Sequence, residues 1–144
     1  MSAITIDRTG FPFVRIAFTA TPTDDEFAAY LSGYQALLDA GQPYAVLAVT
    51  SPKLPMMRSK HARWQADSIA RNRESMAKLL IGVGLVLPSL VTRGALKAIL
   101  SWQPMPCPHA VFQHEADGEA WVRARLEQTS TRRSGSGSPR RAAG

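Results

Sequence analysis

Apolar residues along the chain follow two spacings, and each change of spacing marks a new element. Ile4 and Ile6 alternate with polar neighbours, Gly10 and Pro12 mark a turn, and FVRIAF follows over Phe13–Phe18, so the chain opens on a predicted β-hairpin. Phe27, Tyr30, Leu31, Tyr34 and Leu38 then recur at helical spacing. Thr23 with Glu26 three residues on is a capping box, and Asp24, Asp25 and Glu26 suit the positive end of the helix dipole. Gly41 and Pro43 end that helix, and YAVLAV over 44–49 has strand length.

A proline-rich loop, SPKLPMM, leads into a long predicted helix over 57–78. With residues placed 100° apart, Ala62, Ala66, Ile69, Met76, Ala77 and Leu80 share the core face, and Arg73 falls among them. Lys60, Trp64, Arg71 and Lys78 lie on the opposite face. The most continuously apolar run comes next, LLIGVGLVL over 79–87, closed by Pro88. Its second half, 81–87, reads as the central strand of a parallel sheet covered on both faces, with Gly82 and Gly84 allowing a helix to approach one face closely.

A third helix is predicted over 89–102, with Thr92, Leu96, Ile99 and Leu100 facing the core and Arg93, Lys97 and Ser101 forming a polar strip. The loop QPMPCPH stiffens the approach to a last strand over 110–113, and a final helix over 117–128 turns Ala120, Trp121 and Ala124 inward. The predicted fold is α/β in the order β-β-α-β-α-β-α-β-α. Five mostly parallel strands carry one antiparallel edge hairpin, with helices on both faces.

Charge refines this picture. The chain of 144 residues fits one domain, 1–128, followed by a tail, 129–144, too poor in apolar residues to fold. Removing the four tail arginines, Arg132, Arg133, Arg140 and Arg141, from the net charge of +6 leaves +2 for the rest, an ordinary balance that suggests no nucleic-acid partner. Such a basic tail is usually a solvated end, though it can also bind acidic partners. The single cysteine, Cys107, excludes an internal disulfide. His61, His109 and His114 lack metal-ligand spacing, and neither a metal nor another cofactor is expected. The N-terminus MSAITIDRTG shows no signal-peptide pattern, and Pro88, Arg93 and Lys97 break the longest apolar region, so the expectation is a cytoplasmic protein with no integral membrane segment.

The element order, together with the phrases GVGLVLPS, TRGALKAILSWQPMPCPHAVF and EAWVRARL, resembles the STAS-like family of bacterial proteins related to the sporulation anti-sigma-factor antagonist, sometimes grouped with the Sec14-like lipid-transfer fold. The likeness covers roughly residues 3–127. It implies a non-enzymatic regulatory module that binds a partner protein through the second helix and the loop before it. In some relatives a small amphipathic or anionic ligand takes the same place. In the family such a module is sometimes switched by phosphorylation of a serine at the entrance to that helix. Ser51 is the nearest match, but Thr50 stands where an acidic residue commonly precedes it, and a proline-rich loop replaces the short turn.

The candidate binding residues are therefore Ser51, Arg58, Lys60, Trp64, Arg71 and Lys78, each with a plainer alternative. Trp64 among cations is a docking anchor, or it folds against the neighbouring loop. Ser51 with Arg58 and Lys60 anchors an anion at a helix entrance, or begins an ordinary turn beside a solvated basic one. Cys107 and His109 are a nucleophile and base, or the thiol is inert in a stiff loop. Val91, Ala98 and Trp102, continued by Met105, offer a homodimer or membrane-surface contact, or pack against the last helix. A sealed core with an exposed Trp64 favours protein docking, whereas an apolar cavity behind Leu54, Met56 and Ile99 favours a ligand.

Overall fold

The computed structural model describes residues 3–54 and 57–136. It is an α/β fold with the elements β1 (Ile4–Asp7), β2 (Phe13–Phe18), α1 (Asp24–Asp39), β3 (Tyr44–Thr50), α2 (Ser59–Arg71), α3 (Arg73–Leu79), β4 (Leu80–Val86), α4 (Leu90–Trp102), β5 (His109–Phe112) and α5 (Glu115–Ser136). The five strands lie side by side in chain order, β1 antiparallel to β2 and every other pair parallel.

That order accounts for the layering. Right-handed crossovers that all step across the sheet in one direction place every connecting helix on the same face. Side chains accordingly sort by parity along β3: Tyr44, Val46 and Ala48 join the core under α1, α2, α3 and α4, while Ala45 and Leu47 join a second core with Val122 of α5. No strand follows α5, so it is free to cover the bare face.

The central strand carries the predicted close approach. A methyl group on Gly84 would sit 2.8 Å from Val122 Cγ2, and one on Gly118 of α5 would sit 2.9 Å from Val86 Cγ2. Arg125 Nε donates to the Ile81 carbonyl at 3.0 Å, and Arg15 on β2 pairs with Glu115 at 2.8 Å, fixing α5 at both ends of the contact.

Several expectations are corrected. The long second helix bends at Asn72, whose side-chain amide donates to the Ser68 carbonyl at 2.9 Å while its own backbone leaves helical geometry (φ −105°, ψ 16°). The bend resets the helical phase, so Arg73 and Ala77 are exposed while Met76 stays buried. On α5, Ala120 and Ala124 point to water, and Gly118 and Val122, one turn apart, face the sheet, since the closest approach to a glycine-bearing strand takes the smallest surface. This helix also continues to Ser136 instead of ending near Gln128; residues 137–144 of the tail lie outside the described residues.

Candidate functional site

The layer of α1, α2 and α4 does not close fully on the sheet. Between them lies a cavity of about 160 Å³, walled by β2 (Ile16, Phe18), β3 (Val46, Ala48), β4 (Val83, Leu85), α2 (Ile69) and α4 (Ala95, Leu96, Ile99). Ala48 of β3 and Ala95 of α4 contribute only methyl groups to this wall, which leaves part of the space unfilled.

Chain direction sets an axis through the cavity. Each of α1, α2 and α4 begins where a strand ends and runs back along the sheet, so their first turns and the strand ends share one rim. That rim carries Thr21, Thr50, Leu54 and Arg58. One and two turns deeper on α2 come His61 and Gln65, and then Ile69, with Met76 and Met105 at the far end.

The rim is held by a single carboxylate. Asp24, in the first turn of α1, takes Lys60 Nζ at 2.9 Å, His61 Nε2 at 2.9 Å and Arg58 Nη1 at 3.4 Å. The hydrogen bond from Lys60, and next the one from His61, hold the Asp24 carboxyl below its ordinary range. An ionised carboxylate only accepts, so His61 Nε2 carries the proton. His61 itself is buried and stacks flat on Phe27, centroids 4.5 Å apart. Behind it Tyr30 Oη donates to Gln65 Oε1 at 3.0 Å, and burial raises the Tyr30 hydroxyl well above the ordinary phenol value despite that bond.

Asp24 makes stability depend on acidity. Its folded pKa lies below the unfolded value, so its contribution is complete above about pH 4 and is lost as pH falls through the folded value. The melting temperature of the wild type is expected to drop more steeply between about pH 5 and about pH 2 than that of Asp24→Asn. Thermal melts across that range check this, and parallel curves would refute it.

The sequence candidates divide. Arg58 and Lys60 converge on Asp24 at the rim. Trp64 does not face water as expected: it is half-buried, near Phe27 (6.2 Å) and His61 (5.4 Å), with Lys60 Nζ 5.8 Å from its ring. A helix wheel assumes one covered face, but α2 lies between α1 and α4, so its flanks are covered too. Arg71 and Lys78 are exposed near the opposite end of the bent segment, away from the rim. Ser51 starts a turn, its Oγ accepting from the Lys53 amide at 3.3 Å, with α2 beginning only at Ser59. His61, Gln65, Tyr30 and Asp24 went unnoticed as site residues, although the helical spacing of His61 and Gln65 beside Ala62 and Ile69 marks them as inward-leaning.

The remaining candidates stand apart. His109 Nδ1 lies 3.4 Å from the Cys107 carbonyl oxygen instead of the sulfur, and burial pushes the thiol up to about 11, so Cys107 stays protonated at neutral pH. Val91, Ala98 and Trp102 are exposed and cannot pack against α5, which lies across the sheet; the Arg63 guanidinium sits 4.9 Å from the Trp102 ring. Leu54 and Ile99 line the cavity, as the ligand reading requires, and Met56 lies outside the described residues. Among the described residues no helix is long and apolar enough to cross a membrane. No protein-family model, curated protein or solved structure matches the chain.

Proposed function

We propose that this protein is a binding module that lodges a small, mostly apolar molecule between the sheet and the α1, α2 and α4 layer. The cavity carries the reading. An engineered protein cavity of about 150 Å³ lined by aliphatic and aromatic side chains stays dry and takes up benzene, and the space here is about 160 Å³ with a predominantly apolar wall. Natural cores leave few voids of this size, because unfilled volume forfeits dispersion contacts. A void kept open by Ala48 and Ala95 fits a core shaped around an occupant.

Docking of a partner protein through α2 and the preceding loop depends on Trp64 as an exposed anchor. With the indole half-buried against α1, Arg71 and Lys78 are solvated cations without an aromatic centre, and the ligand reading is the better supported.

Toluene tests the proposal. It is expected to raise the melting temperature of the wild type and to shift the NMR signals of Val46, Leu85 and Ile99. Ala48→Leu, which fills the space from the sheet side, is expected to abolish both effects while leaving the circular dichroism spectrum unchanged. Ala95→Leu repeats the test from the helix side. Absence of any toluene effect on the wild type would refute the proposal.

A further inference from the structure

We infer that the occupant is a monocarboxylate, a medium-chain or single-ring acid bound with its apolar body down the cavity and its carboxylate at the Arg58 rim. This deepens the proposal above and rests on it. The cavity is asymmetric: Thr21, Thr50, the His61 imidazole and the Arg58 guanidinium gather toward the carboxyl ends of the strands, while the far end is closed mainly by Ile69, Met76, Val83 and Met105, with Tyr34 as its polar member toward Tyr44. From His61 to Ile69 the helix rises about 12 Å, one and a half ångströms per residue, which suits an extended chain or a ring with a short arm.

The rim favours an anion. Arg58, Lys60 and His61 meet there on one carboxylate, so two permanent cations share a single paired anion, while Asp25, next to it in the chain, is exposed and joins none of these pairs. Glu26, in the same turn of α1, is turned away to the amides of Thr23 (2.9 Å) and Ala3 (3.3 Å) and does not offset them. Lys60 is the tightly held member at 2.9 Å, whereas Arg58 reaches Asp24 at only 3.4 Å. Its guanidinium carries five donors, and its remaining N–H groups make no hydrogen bond among the described residues. Arg58 is also the N-cap of α2, a helix with no side-chain cap and no acidic residue in its first turn, so the helix dipole adds to the positive field. A carboxylate beside Arg58 would take a forked pair of hydrogen bonds from it.

Calorimetric titration at neutral pH with octanoate, 1-octanol and octylamine separates the possibilities. Octanoate is expected to bind at least about tenfold more tightly than either analogue, the scale of one charge-assisted hydrogen bond. Arg58→Gln is expected to remove that advantage while leaving octanol affinity unchanged, and Ala48→Leu to abolish binding of all three. Equal affinity for octanoate and octanol, or octanoate binding indifferent to Arg58→Gln, would overturn the carboxylate assignment and leave the cavity proposal standing. Octanoate binding that survives Ala48→Leu would place it elsewhere and overturn the assignment as well. If none of the three probes binds, the cavity proposal itself falls.

Discussion

Phe27→Ala is expected to destabilise the protein by about 3–5 kcal/mol, the range for truncating a fully buried phenylalanine. Phe27 is 0% exposed and is where α1 meets α2: it stacks on His61, meets Tyr30 edge-on at 5.3 Å and lies near Trp64. Removing the ring opens a void directly behind His61, and the start of α2 loses its stacking partner on α1, keeping the Asp24 contacts and, deeper in, the Tyr30–Gln65 hydrogen bond. Neighbouring side chains relax into such a void only in part, and the unfilled remainder adds to the lost burial. Urea denaturation measures it. Leu31→Ala, at a half-buried position of the same helix, serves as a control with a smaller expected loss. A Phe27→Ala cost no larger than that control would contradict this account of the α1–α2 junction.

Gly84→Ala is expected to cost about 2 kcal/mol, within the range for overpacking a well-filled core, and Gly82→Ala distinctly less. The two glycines share a strand and a face, and the difference lies in what their new methyl groups would meet. At Gly84 the obstacle is Val122 Cγ2 at 2.8 Å, with the Gly118 carbonyl oxygen and Leu47 Cδ1 both at 3.4 Å. Val122 is 0% exposed and has one rotatable bond, so relief requires α5 to move off the sheet. At Gly82 the nearest atom is Arg125 Cδ at 2.8 Å, part of a long side chain that can swing toward solvent at the expense of its bond to the Ile81 carbonyl. The lower flexibility of alanine in the unfolded chain offsets part of that loss. Equilibrium unfolding of both variants checks the ranking, and a Gly82→Ala protein less stable than Gly84→Ala would show that the helix, and not the side chain, yields.

Much of the architecture was legible because it rests on local chemistry. The capping box of Thr23 and Glu26 forms as written, the Glu26 amide donating to Thr23 Oγ1 at 3.1 Å and the Thr23 amide to Glu26 at 2.9 Å. The glycines of the central strand announced a close helix, and α5 supplies it. Helix phase was less legible. Asn72 offered its amide to Ser68 and bent the helix, a competition between side-chain and backbone hydrogen bonds that periodicity does not register. On α5 the alanines looked like the inward face by hydrophobicity, yet closeness to Gly84 selected Gly118 and Val122 by size. The candidate site was half legible for a similar reason. Arg58 and Lys60 stood out as cations at an unfavourable end of a helix, but their common partner, Asp24, lies 34 and 36 positions away in the chain.

By itself the sequence determined which segments extend and which coil, that the glycine-bearing strand is interior, and that parallel strands joined by helices make the sheet. Those properties follow from spacing, caps and turn residues, whose energies act over a few neighbours. Only the tertiary structure decided that the four connecting helices, α1 to α4, share one face, that α2 is flanked on both sides so that Trp64 turns partly inward, and that an apolar space lies beneath Arg58, His61 and Gln65. Burial on a flank and an unfilled volume are properties of several elements at once. Residues distant in the chain must meet before either exists, and no local pattern encodes where they do.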